Sequence, residues 1–268
     1  MNQAIVLVSF GVLDTKQREK CIEPIAAEIR DAFYDYMVFE AYTSSMILKT
    51  LKEDGAYVYS LPEVLDRLIE EKYDRVIVLP THLMAGKEYN EKVIGVVEAY
   101  KEKFKELELT RPVFVGDGAA ATPEIVSAVT SISYGMERQD GEALVMMGHG
   151  TNPTNHIYEA IQAAADEAGI NMHIGVLTEG DKPTLDDVIA RLEKAGTKKV
   201  VLAPLLLVGG SHVNKEMAGK GENTWEKRLQ AAGCEVRVWP DGLGANMEFR
   251  GIYMQRLMEI LEKLEYGC

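Results

Sequence analysis

Three side chains that can bind a transition metal follow apolar, strand-like runs in the second half of this 268-residue sequence: His149, Glu179 and His212. Because ligands bind beyond the carboxyl ends of parallel strands, we expect the three to approach one another there. Two imidazoles and one carboxylate suit a divalent first-row metal, and three protein ligands leave coordination positions open. A neutral imidazole also accepts protons near pH 7. The pattern indicates metal chemistry coupled to proton transfer.

Glycines distinguish two of the five histidines from the rest. Gly148 and Gly150 flank His149, and Gly209-Gly210 precede Ser211 and His212. Glycine permits turn geometries and close approaches that other residues do not. A single histidine in a loop is more often solvated or holds a turn than binds a ligand. His156 lies at a predicted helix start and His173 inside a strand pattern, and we interpret both as structural.

The second half of the chain repeats the first. Residues 75–93 align without gaps on residues 199–217 at an offset of 124, so that Glu88 meets His212. Likewise Phe10-Gly11 match His149-Gly150. His82 lies two residues after Pro80, at the end of a predicted strand. The first half could therefore supply one wall of a binding site and a second acid–base pair, His82 and Glu88. The second half would supply the metal-binding residues.

Short apolar runs alternate with segments of helical periodicity, which predicts parallel sheets covered by helices, an α/β fold. We expect two similar lobes, residues 1–138 and 139–268, with a cleft between them and the metal ligands in the second. The predicted strands are 4–10, 36–42, 75–80, 112–116, 142–148, 171–178, 199–210 and 235–240. The predicted helices are 15–33, 61–73, 90–104, one from about 123, 155–169, 183–196, one through Trp225 and Leu229, and 247–265.

Composition excludes several classes of partner. The formal charge of -13 argues against nucleic acid and anionic membranes, because both attract a basic surface. No segment approaches the ~18 apolar residues of a membrane span, and the N-terminus lacks the features of a signal peptide. Cys21, Cys234 and Cys268 form no paired spacing, which favours reduced thiols and a cytoplasmic protein. The sequence leaves open whether the protein is a homo-oligomer.

Several common catalytic motifs are absent from the sequence. It contains no G-x-x-x-x-G-K-[ST], no G-x-G-x-x-G and no G-x-S-x-G, and residues 116–124 are only a weak phosphate signal. From these residues alone, a metal-dependent enzyme and a non-catalytic metal carrier both remain open. A two-lobed solute-binding protein would be similar to such a carrier, but solute-binding proteins usually carry an export signal.

At these residues the sequence resembles the anaerobic cobalt chelatases of cobalamin biosynthesis, which insert Co²⁺ into the tetrapyrrole sirohydrochlorin. The resemblance spans nearly the whole chain. It implies a class II chelatase-like architecture, in which two α/β lobes enclose a tetrapyrrole cleft. The segments that carry it are LVSFG (7–11), TSSMILKTL (43–51), THLMAGKEY (81–89), MGHGTN (147–152), TEGDKP (178–183), PLLLVGGSHVNKEMAG (204–219) and WPDGLGAN (239–246).

The resemblance also implies roles for single residues. The family's metal ligands fall on His149, Glu179 and His212, and its H-x-x-x-G-x-E segment falls on His82, Gly86 and Glu88. We therefore expect a sirohydrochlorin cobaltochelatase, a lyase with Co²⁺ as substrate metal and no organic cofactor. A chelatase for iron or nickel, or a non-catalytic carrier of the tetrapyrrole or the metal, is the alternative. The residues expected to act in catalysis are His149, His212 and Glu88, and those expected to contact the substrate are Phe10, Gly11, His82, Gly209 and Gly210.

Overall fold

The computed structural model describes residues 2–116, 118–151 and 156–267; Cys268, one of the three thiols considered above, lies outside them. The described residues form two four-stranded parallel sheets, which confirms the predicted α/β class. The strands are β1 (Gln3–Ser9), β2 (Met37–Tyr42), β3 (Arg75–Pro80), β4 (Glu106–Leu109), β5 (Glu142–Gly148), β6 (Met172–Val176), β7 (Lys199–Pro204) and β8 (Glu235–Val238).

The two sheets share one topology, as the internal repeat predicts. Their strand orders are β2-β1-β3-β4 and β6-β5-β7-β8. Even the register corresponds, since Val8 pairs with Pro80 in the first sheet and Met147 with Pro204 in the second. The chain therefore leaves β3 and β7 at equivalent points, immediately before the segments that contain His82 and His212.

Helices connect the strands. Two short π-helices, Asn90–Ile94 and Val213–Met217, lie in the aligned repeats within one residue of each other. The α-helices are α1 (Thr15–Cys21), α2 (Glu23–Ala32), α3 (Ser45–Glu53), α4 (Leu61–Glu70), α5 (Lys87–Tyr89), α6 (Gly95–Tyr100), α7 (Pro123–Tyr134), α8 (Ile157–Glu167), α9 (Leu185–Ala195), α10 (Trp225–Ala231) and α11 (Met247–Tyr266). No helix in these described ranges has the length and apolar composition to cross a membrane.

Each sheet packs one apolar face against its own helices. In the first, Val6, Val78 and neighbouring strand residues pack against Leu65 and Leu68 of α4. In the second, Val145 and its neighbours pack against residues of α9 and α10. β5 is buried along its whole length, as expected for a central parallel strand covered on both faces. The strand ends are thereby fixed by a rigid core.

The chain divides into two compact units, residues 1–113 with 250–268, and residues 114–249. This division differs from the predicted lobes 1–138 and 139–268. The segment with α7 (Pro123–Tyr134) belongs to the second unit, and most of α11 (Met247–Tyr266) belongs to the first. An alignment of repeats finds the strand–helix pattern but does not reveal which sheet a terminal helix covers.

Two predicted strands differ from the structure. The strand placed at 112–116 is wrong, because the edge strand of the first sheet is β4 (Glu106–Leu109). The strand predicted over 199–210 ends at Pro204. The apolar run continues beyond it, but Leu206 and Leu207 accept backbone hydrogen bonds from a turn at 243–244 instead of extending the sheet.

Candidate metal centre

His149 follows β5 in a position that only its glycine neighbours allow. A Cβ on Gly148 would lie 2.3 Å from Cε1 of the buried Tyr158 ring. Gly150 has a φ of +100°, and a Cβ there would lie 2.5 Å from the Thr178 side chain. The His149 side chain itself is exposed to solvent. The close packing of its neighbours therefore fixes the backbone while leaving the imidazole accessible.

The backbone around His149 is held by three further residues. Both the backbone N–H and the hydroxyl of Thr178 donate to the carbonyl of His149, at 3.0 and 2.7 Å. The Tyr158 hydroxyl accepts from the Gly150 N–H at 3.2 Å, and burial raises the pKa of this tyrosine to about 12. The carboxylate of Asp181, 2% exposed, accepts from the Thr151 N–H at 2.6 Å. Sequence reasoning missed Asp181, although it lies inside the quoted TEGDKP segment.

His212 is presented by an irregular segment after β7. Once Pro204 has ended the strand, residues 205–208 run beside the turn at 242–244, where a Cβ on Gly242 would lie 2.3 Å from the Leu207 carbonyl oxygen. Gly209 is buried, and Gly210 has a φ of +34°. His212 comes at the start of the π-helix Val213–Met217, with its side chain partly exposed. The predicted strand–glycine–histidine order is therefore present with a shorter strand.

The structure brings His149 and His212 together. Their ring centroids are 5.0 Å apart and the rings are nearly perpendicular, at 79°. Nδ1 of His149 lies 3.3 Å from the Gly150 carbonyl oxygen, which can only accept, so Nδ1 carries the proton in this contact. Nδ1 of His212 faces the Glu216 carboxylate at 3.3 Å. Both contacts favour Nε2 as the nitrogen that keeps its lone pair for a metal.

Glu179 stands apart from this pair. It is exposed in the loop after β6, between Thr178 and Gly180, whose φ is +83°. Within the described ranges, no three His, Cys, Asp or Glu side chains converge as a metal-binding set. The two predicted imidazole ligands are thus adjacent, whereas the role of Glu179 as third ligand stays a prediction.

In the first unit, His82 follows β3 after Thr81. A hydrogen bond from the fully buried Tyr253 hydroxyl to the Thr81 carbonyl, 3.0 Å long, holds the backbone there. Both ring nitrogens of His82 are shielded from solvent and have no hydrogen-bond partner among the described residues. Burial lowers the pKa of His82 to about 4, because the apolar surroundings disfavour the imidazolium. His82 is therefore neutral at pH 7.

The other predicted residues of the first unit lie near the same sheet edge. Glu88 is in α5, and its Oε1 is shielded without a hydrogen-bond partner in the part of the chain described. Phe10 follows β1 and is 50% exposed. Gly11 has a φ of +99°, matching the +100° of Gly150 at the equivalent point of the repeat. A Cβ on Gly11 would lie 3.0 Å from the Tyr42 ring, which explains the glycine.

The two histidines interpreted as structural do lie in local hydrogen-bonding roles. His156 precedes α8 with a φ of 60°, and its Nδ1 contacts the Glu159 carboxylate. His173 is buried in β6, where Nδ1 accepts from Nε of Arg191 and Nε2 faces Asn171, each at 3.2 Å. Desolvation, with a smaller effect of the Arg191 charge, lowers the pKa of His173 to about 4.

Unsatisfied polar atoms concentrate at the ends of β3 and β7. Of the eight buried side-chain polar atoms without a hydrogen-bond partner in the described ranges, five belong to His82, Glu88, His212 and Glu216. Most buried polar groups in proteins are satisfied, and exceptions cluster where function requires them. The repeat therefore carries a polar site at the same sheet edge in each unit.

Comparison with known proteins identifies the family of this chain. Residues 3–262 match the model of the family described as cobalt chelatase (CbiK). The chain belongs to this cobalt chelatase family. The sirohydrochlorin cobaltochelatase CbiKC of Nitratidesulfovibrio vulgaris is 32% identical over 98% of this chain and 92% of its own length. The sirohydrochlorin cobaltochelatase of Salmonella typhimurium is 28% identical, over 97% of each chain. The family predicted from sequence is confirmed.

Solved structures support the fold. SirB from Bacillus subtilis with Fe³⁺ superposes with a TM-score of 0.67 at 14% identity, covering 99% of this cobalt chelatase chain and 98% of SirB. The sirohydrochlorin chelatase SirB from Bacillus subtilis subspecies spizizenii, in complex with cobalt, gives 0.63 at 12% identity, covering 99% and 97%. The predicted class II chelatase-like fold of two parallel α/β sheets is confirmed.

Proposed function

We propose that this protein inserts Co²⁺ into sirohydrochlorin, with both as substrates and no organic cofactor. The observation that carries the proposal is the pair His149 and His212, whose rings lie 5.0 Å apart and whose Nδ1 atoms each lie 3.3 Å from an oxygen, of Gly150 and of Glu216. Membership of the cobalt chelatase family, and the names of the relatives from Nitratidesulfovibrio and Salmonella, support the choice of metal and tetrapyrrole. The expected cytoplasmic location stays a prediction.

Metal delivery requires ligands that bind Co²⁺ without enclosing it. Two imidazole Nε2 atoms, joined by the exposed carboxylate of Glu179, provide three ligands and leave coordination positions for water and for the incoming pyrrole nitrogens. The exposure of His149 and Glu179 leaves their side chains free to follow the ion. Three ligands of this kind hold the ion long enough to strip water and still release it.

Insertion of a divalent metal into the free tetrapyrrole releases two pyrrole protons, which the protein must accept. We assign proton acceptance to Glu88, together with His149 and His212 as they give up the metal. His82 is a weak base, since its pKa is about 4. Its shielded, unpartnered nitrogens suit it instead to hydrogen bonding with the substrate.

Substrate contact needs apolar surface for the ring and donors for its carboxylates. Phe10, half exposed after β1, offers an aromatic face, and the tight turn at Gly11 holds it in place. The space beside Gly210, two residues before His212, is open, because a Cβ there would meet nothing within 4 Å; Gly209 stays a predicted substrate contact. A cavity of about 390 Å³ in the second unit is lined in part by Lys215, whose ammonium can pair with a substrate carboxylate.

The test is anaerobic incubation of sirohydrochlorin with purified protein and Co²⁺, Fe²⁺ or Ni²⁺ in separate reactions, followed by the change in tetrapyrrole absorbance. We expect many turnovers per protein molecule, fastest with Co²⁺. Conversion that stops at one equivalent would indicate a carrier. A higher turnover with Fe²⁺ or Ni²⁺ would overturn the choice of metal, and no acceleration over the protein-free reaction would overturn the activity.

A further inference from the structure

The carboxylate of Glu216 faces the imidazole of His212. Oε2 of Glu216 and Nδ1 of His212 are 3.3 Å apart, although about 40% of each side chain remains exposed, 42% and 39%. Both atoms are shielded from solvent, and neither has a hydrogen-bond partner in the described ranges. The 3.3 Å separation is close to hydrogen-bond length, so a change of ring orientation, without a large approach, would align the N–H with the carboxylate oxygen.

The backbone explains why these two residues meet. His212 lies at the entry to the π-helix Val213–Met217, which contains Glu216 and closes with the Ala218 N–H bonded to the Val213 carbonyl at 2.9 Å. Residues four apart on such a helix lie on the same face. A Cβ on Gly219 would lie 2.3 Å from the Asn214 carbonyl oxygen, so the turn requires glycine there. π-Helical turns are rare and occur frequently at functional sites.

The repeat provides an internal comparison. In the first unit, the residues aligned with His212 and Glu216 are Glu88 and Lys92. Both segments contain a π-helix at this point, so the backbone does not by itself require an acid at the second position. In the second unit His212 is followed four residues later by a carboxylate. In the first unit the aligned residue is not a histidine, and a lysine stands four residues later. This pattern is expected if the Glu216 carboxylate interacts with the His212 imidazole.

The geometry points to Glu216 as a positioning residue for His212. It accepts a hydrogen bond from Nδ1–H, holds the ring, and leaves the Nε2 lone pair for the divalent metal. Metal-binding histidines usually donate their other N–H to an oxygen in this way, which fixes the tautomer and strengthens the ligand. The inference rests on the proposed function in taking His212 as a metal ligand. It adds a residue that neither the sequence motifs nor the repeat assigned.

Co²⁺ binding to the purified full-length chain tests this directly, read from the visible absorption of the bound ion without any tetrapyrrole. Glu216→Ala should weaken Co²⁺ binding about 10- to 100-fold, the usual cost of removing such a partner. Glu216→Gln keeps a carbonyl oxygen that can accept from Nδ1–H, so it should stay within about 3-fold of wild type. Glu222→Ala is the control, because Glu222 is 92% exposed in the same segment and pairs with Lys227. It should bind as wild type does.

Two outcomes overturn the inference. Equal losses in Glu216→Ala and Glu216→Gln would make the carboxylate a direct ligand, and unchanged affinity in both would leave it no role at the metal. The His212→Ala background gives a second arm, because Glu216→Ala should cost nothing further there. Thermal unfolding of each variant separates a loss of fold from a loss of binding. Failure to insert cobalt into sirohydrochlorin would refute the proposed function but leave these metal affinities interpretable.

Discussion

The buried carboxylate of Asp181 accepts a 2.6 Å hydrogen bond from the backbone N–H of Thr151, two residues after His149. The same side chain also accepts from the Lys182 N–H at 2.9 Å. Asp181 therefore ties the loop after β6 to the loop that presents His149. These bonds fix the backbone next to His149, the residue that we propose as a metal ligand.

Replacing Asp181 by Ala should lower both stability and Co²⁺ insertion. Two backbone N–H groups would lose their acceptor, which costs about 1–3 kcal/mol in the free energy of unfolding. Displacement of His149 should reduce the insertion rate about 10- to 100-fold. Denaturant titration and steady-state rates measure the two effects. Asp186→Ala is the matched control, because Asp186 is exposed on α9 and its ion pair with Arg228 lies at the surface. Equal effects of both substitutions would contradict the role of Asp181.

Gly148→Ala should disrupt the turn that carries His149. The added Cβ would lie 2.3 Å from the Tyr158 ring, so either the ring or the strand end must move. We expect a stability loss of about 1–3 kcal/mol from overpacking and a large loss of insertion activity. Gly251→Ala is the control, because Gly251 is exposed within α11 and its Cβ would meet nothing within 4 Å. That change should stabilise the helix by up to about 1 kcal/mol and leave activity unchanged. An active, stable Gly148→Ala protein would show that the turn tolerates displacement.

His173 should contribute to destabilisation in acid. Its pKa is about 4 in the fold, against about 6.5 in the unfolded chain, so the unfolded state takes up a proton first. Stability is therefore complete above pH ~6.5, falls as the pH decreases towards 4, and becomes constant below that. Between pH 7 and pH 5 the expected loss is about 2 kcal/mol.

His173→Gln isolates this contribution, because glutamine does not titrate. Free energies of unfolding from denaturant titrations at pH 7 and pH 5 should show a decline about 2 kcal/mol smaller in the variant than in wild type. His82 also has a low pKa but is present in both proteins, so its effect cancels. An identical decline in the free energy of unfolding between pH 7 and pH 5 in the two proteins would contradict a neutral, buried His173.

Much of the architecture was predictable because central parallel strands are apolar along their whole length. β1, β3 and β5 were placed to within a residue. The edge strand β4 (Glu106–Leu109) was missed because an edge strand alternates charged and apolar residues and resembles the end of a helix. Residues 112–116 are apolar and were mistaken for it, although they lie outside the regular strands of either sheet.

Sequence patterns single out histidines that stand beside glycines, but they do not single out a carboxylate that contacts another residue. His149 and His212 were identified from their placement after strands, and the structure brings them together. Asp181 and Glu216 do not stand out in the sequence, because aspartate and glutamate are common on surfaces. Only folding shows that the Asp181 carboxylate is buried against backbone N–H groups and that Oε2 of Glu216 lies 3.3 Å from Nδ1 of His212. The matching φ values of Gly11 and Gly150 show that the repeat extends to backbone conformation.

The most direct test is the steady-state rate of Co²⁺ insertion into sirohydrochlorin by wild type, His149→Ala and His212→Ala. His156→Asn serves as the control, because asparagine tolerates the φ of 60° found at His156. We predict that His149→Ala and His212→Ala each stay folded and lose at least about 100-fold in rate, whereas His156→Asn keeps wild-type turnover. Near-wild-type turnover in both His149→Ala and His212→Ala would contradict it.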